Sequence, residues 1–352
     1  MQPPNQRMSN THIDTTRRHV PASRKVPRGA AEIPAVLALL ASGDRHAGPD
    51  MARRLGISRA AVWKQIEALR AAGLDVQTSE SGYRLEPPLE WLDPVAIHAA
   101  LPAAIRRRVG RIENHWRLDS TSSECLRRAN ELPDRSFVFA DWQDAGRGRR
   151  GRQWVSPPAT NLQFSCLKYF SCGYAALSGL SLAVGVAVAD ALEDCGARGT
   201  GLKWPNDLVH GDVKLGGILI ELGGEFMGPC HAVIGVGINL RVPQAMRRAL
   251  DRPCTDLQEV CGGNAPSRNA LAIALVARLV EALDVFGDSG FAAFIDAWNA
   301  RDALDGRAIR VDGARGVYEG TAVGVDARGA LLVRRAGGVE SLDSAEVTVR
   351  AK

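Results

Sequence analysis

Four arginines and three glycines crowd into ten residues, AGRGRRGRQW (Ala145–Trp154). A guanidinium offers a planar fork of donors that matches carboxylates and phosphates. Glycines let backbone N–H groups close around such an anion without side-chain hindrance. Together they suit a mobile loop that orders around a negatively charged ligand. Gly146, Gly148 and Gly151 also spell G-x-G-x-x-G, the pattern of a dinucleotide-binding turn, which needs a strand before it and a helix directly after it. The strand is present as SFVFADW, but RQWVSPPATN follows, with Pro157–Pro158 and the β-prone Trp and Val. No acid stands about twenty positions on to take a ribose, so the dinucleotide reading fails. A segment for single-stranded nucleic acid is weakened because the loop is single and lies between strands of a folded domain.

A second cation is notable. Lys214 opens KLGGILIEL, a strand that is otherwise apolar until Glu221. A lysine in that setting needs a partner in a cleft. No Ser-His-Asp arrangement is visible. The seven histidines form no H-x-x-x-H or Cys/His cluster, so no zinc-ligand set is present. The seven cysteines contain no C-x-x-C pair and are odd in number, which implies reduced thiols in a cytoplasmic protein. No secretory signal opens the sequence. The longest apolar run, Ala175 to Leu192, is interrupted by Ser178, Gly179, Ser181 and Asp190 and implies a buried helix, not a membrane span. A net charge of +5 permits a phosphate or nucleic-acid partner without requiring one.

The elements around these residues divide the chain of 352 residues into four stretches. Residues 1–30, with Asp14 their only acid, suggest a disordered tail or an arm along DNA phosphates. Residues 31–88 suggest three helices and a hairpin. PAVLALLAS is amphipathic, Pro49 starts a second helix, Gly56 turns the chain, and Ser58 caps RAAVWKQIEALRAAG, which ends at Gly73. Val62, Ile66 and Leu69 share one face of that helix. This is the plan of a winged helix-turn-helix, with Ser58, Arg59 and Lys64 placed to meet DNA; the alternative is a small structural cap. Glu86–Pro94 is a proline-rich joint. Residues 95–303 mix strands near 112–118, 137–142, 161–168, 201–204, 214–222 and 231–240 with helices near 97–109, 123–132, 175–195, 268–286 and 291–299. Short turns such as Gly211–Asp212 imply an α+β domain with a mixed, largely antiparallel sheet. Residues 304–352 alternate short strands with Gly and Asp turns, the pattern of a small SH3-like β-barrel.

Three further stretches, KWPNDL (Lys203–Leu208), KLGGILIEL (Lys214–Leu222) and GVGINL (Gly235–Leu240), follow GRGRRGRQW in order. With LDSTS (Leu118–Ser122) and DWQDAGRG, the set resembles the biotin–protein ligases, over most of residues 33–350. It looks like the bifunctional subgroup, in which the ligase also represses the biotin operon. The resemblance implies that biotin and Mg-ATP form biotinyl-5′-AMP and that biotin then passes to a lysine of a biotin carboxyl carrier protein. It implies biotin contacts from Ser120, Thr121, Ser122, Gln143, Arg147, Gly148, Arg149 and Lys214, with Ser122 departing from the commoner Asn. Lys214, Arg147 and Arg149 carry the chemistry. Arg149, Arg152, Trp154, Lys203, Asn206 and Asn239 are the implied nucleotide contacts, and Asp207 suits either magnesium or the incoming lysine amine. Trp204 reads as a core aromatic. Operator DNA, a homodimer when adenylate is bound, and no membrane complete the expectation. The competing classes are a ligase with a merely structural N-terminal unit, a lipoate–protein ligase, and a biotin-sensing transcription factor without catalysis.

Overall fold

The computed structural model describes residues 33–249, 253–313, 316–343 and 348–351; the tail expected over residues 1–30 lies outside them. The first unit runs α1 (Ala35–Leu40), α2 (Gly48–Leu55), α3 (Arg59–Ala71), then the antiparallel pair β1 (Val76–Ser79) and β2 (Gly82–Leu85). Gly56 makes the turn in the left-handed region, at φ 65°. Ser58 Oγ accepts the Ala61 N–H at 3.1 Å and so fixes where α3 begins. Val62, Ile66 and Leu69 pack against Val36, Leu37, Leu40, Met51 and Leu85. The result is a winged helix-turn-helix, and its core extends onto Trp116 of the next unit.

After the joint come α4 (Pro94–Ala100) and α5 (Ala103–Arg106). One helix over 97–109 is expected from the sequence; it is broken because Pro102 cannot donate into a continuing helix. Seven strands follow: β3 (Ile112–Leu118), β4 (Ser136–Gln143), β5 (Leu162–Phe170), β6 (Thr200–Lys203), β7 (Asp207–His210), β8 (Val213–Gly224) and β9 (Cys230–Ile238). Their order is β3-β4-β5-β9-β8-β7-β6, with only β3–β4 parallel. Alternation along β4 serves two cores: Phe137 and Phe139 join the main one, Val138 and Ala140 the other. The main core is covered by α7 (Leu180–Asp194) and later by α10. The opposite face carries α6 (Thr121–Arg127), shorter than the 123–132 helix expected. The expected helix from Ala175 begins only at Leu180, because Gly179 sits at φ 80° between it and a 3-10 turn. The short helices α8 (Gln244–Ala249) and α9 (Leu257–Val260) precede α10 (Arg268–Ser289) and α11 (Ile295–Asn299).

The last unit is an antiparallel sheet of SH3-like type: β10 (Ala308–Gly313), β11 (Gly316–Val325), β12 (Leu331–Arg335), β13 (Gly338–Leu342) and β14 (Thr348–Ala351), in the order β13-β12-β11-β10-β14. Trp204, buried as its apolar ring demands, donates its Nε1–H to the Gly329 carbonyl at 3.1 Å, which ties this sheet to the central domain. No helix among the described residues is long and apolar enough to cross a membrane.

One buried ion pair fixes the joint. Arg268 and Asp141, 3% and 2% exposed, meet at 2.6 Å. Arg268 also donates to the carbonyls of Glu90 (2.7 Å) and Asn161 (3.2 Å), while Asn114 donates to Asp141 at 2.9 Å. Removing one partner strands a buried charge, at a cost of about 3–5 kcal/mol, whereas replacing both with apolar groups costs far less. Urea unfolding should therefore show Arg268→Ala destabilised by about that amount, with Arg268→Met combined with Asp141→Leu much closer to the parent. Equal losses in both variants would reject the pair as the anchor.

Candidate active site

The α6 face of the sheet opens into a cleft of about 500 Å³, a size typical of small-molecule sites. Its floor is set by missing side chains. Gly235 and Gly237 lie two apart on β9 and so point to the same face. A Cβ on Gly235 would stand 2.8 Å from Ser122 Oγ, and one on Gly237 would stand 2.7 Å from the Trp154 ring. The indole of Trp154 therefore lies directly against backbone, with its Nε1–H reaching Gln163 Oε1 at 3.3 Å.

One end of the cleft is neutral and polar. Ser120 starts α6 as its cap, while the Thr121 and Ser122 hydroxyls both bond Ser165 Oγ, at 2.8 and 3.0 Å. Gln143 Oε1 accepts the Thr121 N–H at 2.7 Å, which leaves its amide nitrogen as the donor. Ser165 and Gln163 were not among the expected site residues. The signal for them is local: two polar residues at period two in the apolar strand LQFSCL.

The other end is cationic. Arg147, Arg149, Arg152 and Lys214 line it, opposite Asp207, the single acid there among the described residues. The glycine-arginine loop has internal order that its composition does not announce. Trp154 N–H bonds Gly146 O and Gly148 N–H bonds Arg152 O, both at 2.8 Å, with Arg150 (φ 58°) and Gly151 (φ 71°) turning the tip. No helix follows it. Its base is pinned by Asp144, which takes Arg117 through both oxygens at 2.9 and 2.8 Å. Arg147 pairs with Glu221 of β8 at 2.5 Å. Arg149 reaches Asn206 Oδ1 at 3.3 Å, and burial, then the neighbouring Arg150, holds its pKa below the usual arginine value.

Lys214 enters the cleft through a bulge. Opposite β7 the register slips, so that Val209 faces Lys214 but Leu208 faces Gly216. The extra residue, Leu215, is fully buried in the main core, while Lys214 Nζ lies 3.2 Å from where a Cβ on Gly217 would be. The bulged carbonyls stay bonded: Thr255 N–H takes Lys214 O and Asn239 N–H takes Leu215 O, both at 2.9 Å. Lys214 Nζ is ion-paired with Asp207.

Of the expected ligase-site residues, the cleft gathers Ser120, Thr121, Ser122, Gln143, Arg147, Gly148, Arg149, Arg152, Trp154, Asn206, Asp207, Lys214 and Asn239. Lys203 is the exception. It lies on β6, the outermost strand, paired with Asp207 of β7 and near Asp212, so the cleft ends one strand short of it. Asp207, expected to meet magnesium or an amine, faces Lys214. Ser58, Arg59 and Lys64 lie exposed at the start of α3, far from these residues in the chain.

Three family models match in order. An HTH domain covers residues 35–84, the Biotin/lipoate A/B protein ligase family residues 116–239, and the Biotin protein ligase C terminal domain residues 306–350. The chain is 36% identical over 318 residues to the Bifunctional ligase/repressor BirA of Salmonella typhimurium (strain LT2), covering 90% of this chain and 97% of that one. The relative of the same description from Escherichia coli (strain K12) is also 36% identical, with 90% and 96% covered. A solved structure, the biotin protein ligase from Aquifex aeolicus in complex with biotin and ATP, superposes with a TM-score of 0.59 at 26% identity, covering 68% of this chain and 99% of that one. With bifunctional relatives aligned along nine-tenths of its length, helix-turn-helix included, the chain belongs to the biotin–protein ligase family.

Proposed function

We propose that the cleft joins biotin to ATP and passes the biotinyl group to a lysine of a biotin carboxyl carrier protein. The observation that carries this is the polarity of one cavity, with neutral hydrogen-bonding groups at one end and, among the described residues, four cations at the other. A ureido ring offers two N–H donors and a carbonyl, which the Ser120, Thr121 and Ser122 hydroxyls and the Gln143 amide can match. The biotin carboxylate then lies among Arg147, Arg149 and Lys214. One carboxylate oxygen attacks the α-phosphorus of ATP, pyrophosphate leaves, and biotinyl-5′-AMP forms. The amine of the carrier lysine attacks the acyl carbon, AMP leaves, and the amine gives up its proton.

No protein nucleophile takes part. The chain supplies proximity and charge: two anions are held together, and negative charge growing on the phosphate meets Lys214 and Arg149. Trp154 on Gly237, with Asn206 and Asn239, forms the nucleotide side. Among the described residues Asp207 is the one acid lining the cleft, and it already holds Lys214. Among the described residues no group of three or more His, Cys, Asp or Glu gathers to hold a metal. The residues fit a magnesium ion that arrives on the triphosphate, with Asp207 as a protein contact; bound there, it would screen phosphate charge. The free thiols suit a cytoplasmic setting.

Incubating the chain with biotin, ATP and a carrier domain should give a biotinylated carrier, and lipoate in place of biotin should give none. The Lys214→Ala variant should release pyrophosphate about 10²- to 10³-fold more slowly, the usual loss for one preorganised charge donor. Its fold should persist, because Lys214 is part-exposed at the rim. A parental rate would remove Lys214 from the chemistry. Biotin plus ATP should also protect Arg147–Arg152 from trypsin, since the ligand's carboxylate and phosphates add opposite charge to side chains that repel one another. Equal cleavage in both conditions would reject the loop as a cover.

The winged helix makes the same protein a repressor of biotin genes, binding operator DNA as a homodimer with biotinyl-5′-AMP as corepressor. One recognition helix reads only a few base pairs, so specificity needs two half-sites. Adenylate should tighten operator binding by about 5- to 150-fold, the range of ordinary allosteric coupling. Arg59→Ala should weaken it in a gel-shift or anisotropy titration. No binding with or without adenylate would leave residues 31–88 a structural cap.

A further inference from the structure

On the reading of residues 31–88 as an operator-binding unit, α3 carries a side chain that its packing does not explain. Trp63 is 59% exposed, and it is the only large hydrophobic residue exposed between residues 33 and 88. Val62, Ile66 and Leu69 fill the buried face, so Trp63 points away from the core. At helical spacing it shares the outward face with Arg59 one turn before it, beside Ala60 and Lys64, all of them exposed. The single acid of α3, Glu67, is turned aside: Arg70 holds it at 2.6 Å and bonds Thr78 of the wing at the same distance.

An apolar docking surface for a protein would be a contiguous patch. Here one indole stands alone among cations. Such a face suits a DNA groove, where guanidinium and ammonium groups meet phosphates or guanine edges and an apolar side chain meets the one apolar group of the major groove, the thymine C5-methyl. Ala60 beside the indole leaves room for the base edge.

We propose that Trp63 is a base-reading residue that packs on a thymine C5-methyl in each operator half-site. The probe is the duplex that the full chain, supplied with biotin and ATP, selects from a random-sequence library. Thymines in that duplex are replaced one at a time by uracil, which removes the methyl and nothing else. One replacement per half-site should weaken binding about fourfold, the worth of one buried carbon. Trp63→Ala should bind the thymine and uracil duplexes equally, while Trp63→Phe keeps part of the difference. Independently, 5-bromouracil at that position should photocross-link to the peptide containing Trp63.

Uracil tolerated at every position, a cross-link to another residue, or a Trp63→Ala variant that still prefers thymine would each overturn the assignment and leave the repressor reading standing. Failure of the parent chain to select any sequence would instead overturn the repressor reading, and this inference with it. Capture of a protein through Trp63, with unaltered DNA selection by Trp63→Ala, would assign the surface to that partner.

Discussion

Crowding of positive charge is the constraint under which the catalytic half of this molecule is built. Two unit charges 4 Å apart repel by about 1 kcal/mol in water and about 4 kcal/mol near a protein surface. Among the described residues the cleft holds four such groups, and three of them are held in place by neighbours. Arg147 is held by Glu221, Lys214 by Asp207, and Arg149 by contact with Asn206 and partial burial. At the base of the loop that carries the arginines, Asp144 is bonded through both oxygens by Arg117. The sheet beneath supplies rigidity, and its glycines bring the backbone within reach of ligand and ring alike. A reaction that gathers negative charge is then drawn to the one place where positive charge is already assembled.

The chemistry was legible because it was concentrated. Arginines among glycines, a lysine opening an apolar strand and an asparagine ending another are visible without coordinates, and Arg147, Arg149, Arg152, Lys214 and Asn239 line one cavity. What escaped the sequence depends on register. Lys203 and Lys214 are both lysines at strand ends, but a bulge turns one into the cleft and an edge position leaves the other outside. Glu221 and Ser165 matter only because β8 and β5 bring them beneath the loop and α6. The winged helix was read well because capping and turn residues act locally: Ser58 and Gly56 stand at the positions their chemistry requires. Helix ends were read less well where one residue, such as Pro102 or Gly179, overrules a long apolar pattern.

The two functions share material. Trp91, Trp116 and Trp142 touch edge to face in series, with centroids 5.7 and 6.2 Å apart, and Arg117 lies over Trp142 at 4.4 Å. Trp116 belongs to the winged helix core although it is a residue of β3. The same Arg117 clamps Asp144 at the base of the arginine loop. Ligand loop and DNA-binding unit are thus joined by packed side chains and not by a tether alone.

The ion pair of Arg268 and Asp141 sets where this protein can be divided. Glu90 lends Arg268 its carbonyl, Asn269 bonds the side chain of Glu90, and Leu92 sits in the main core. The joint is therefore the first segment of the catalytic module and not spare chain between two modules. A portable ligase cut from this gene would have to start upstream of Glu90; a cut at Pro94 would leave a hole lined by an arginine. Fusion partners or alternative DNA-reading heads belong at the wing, before Pro87.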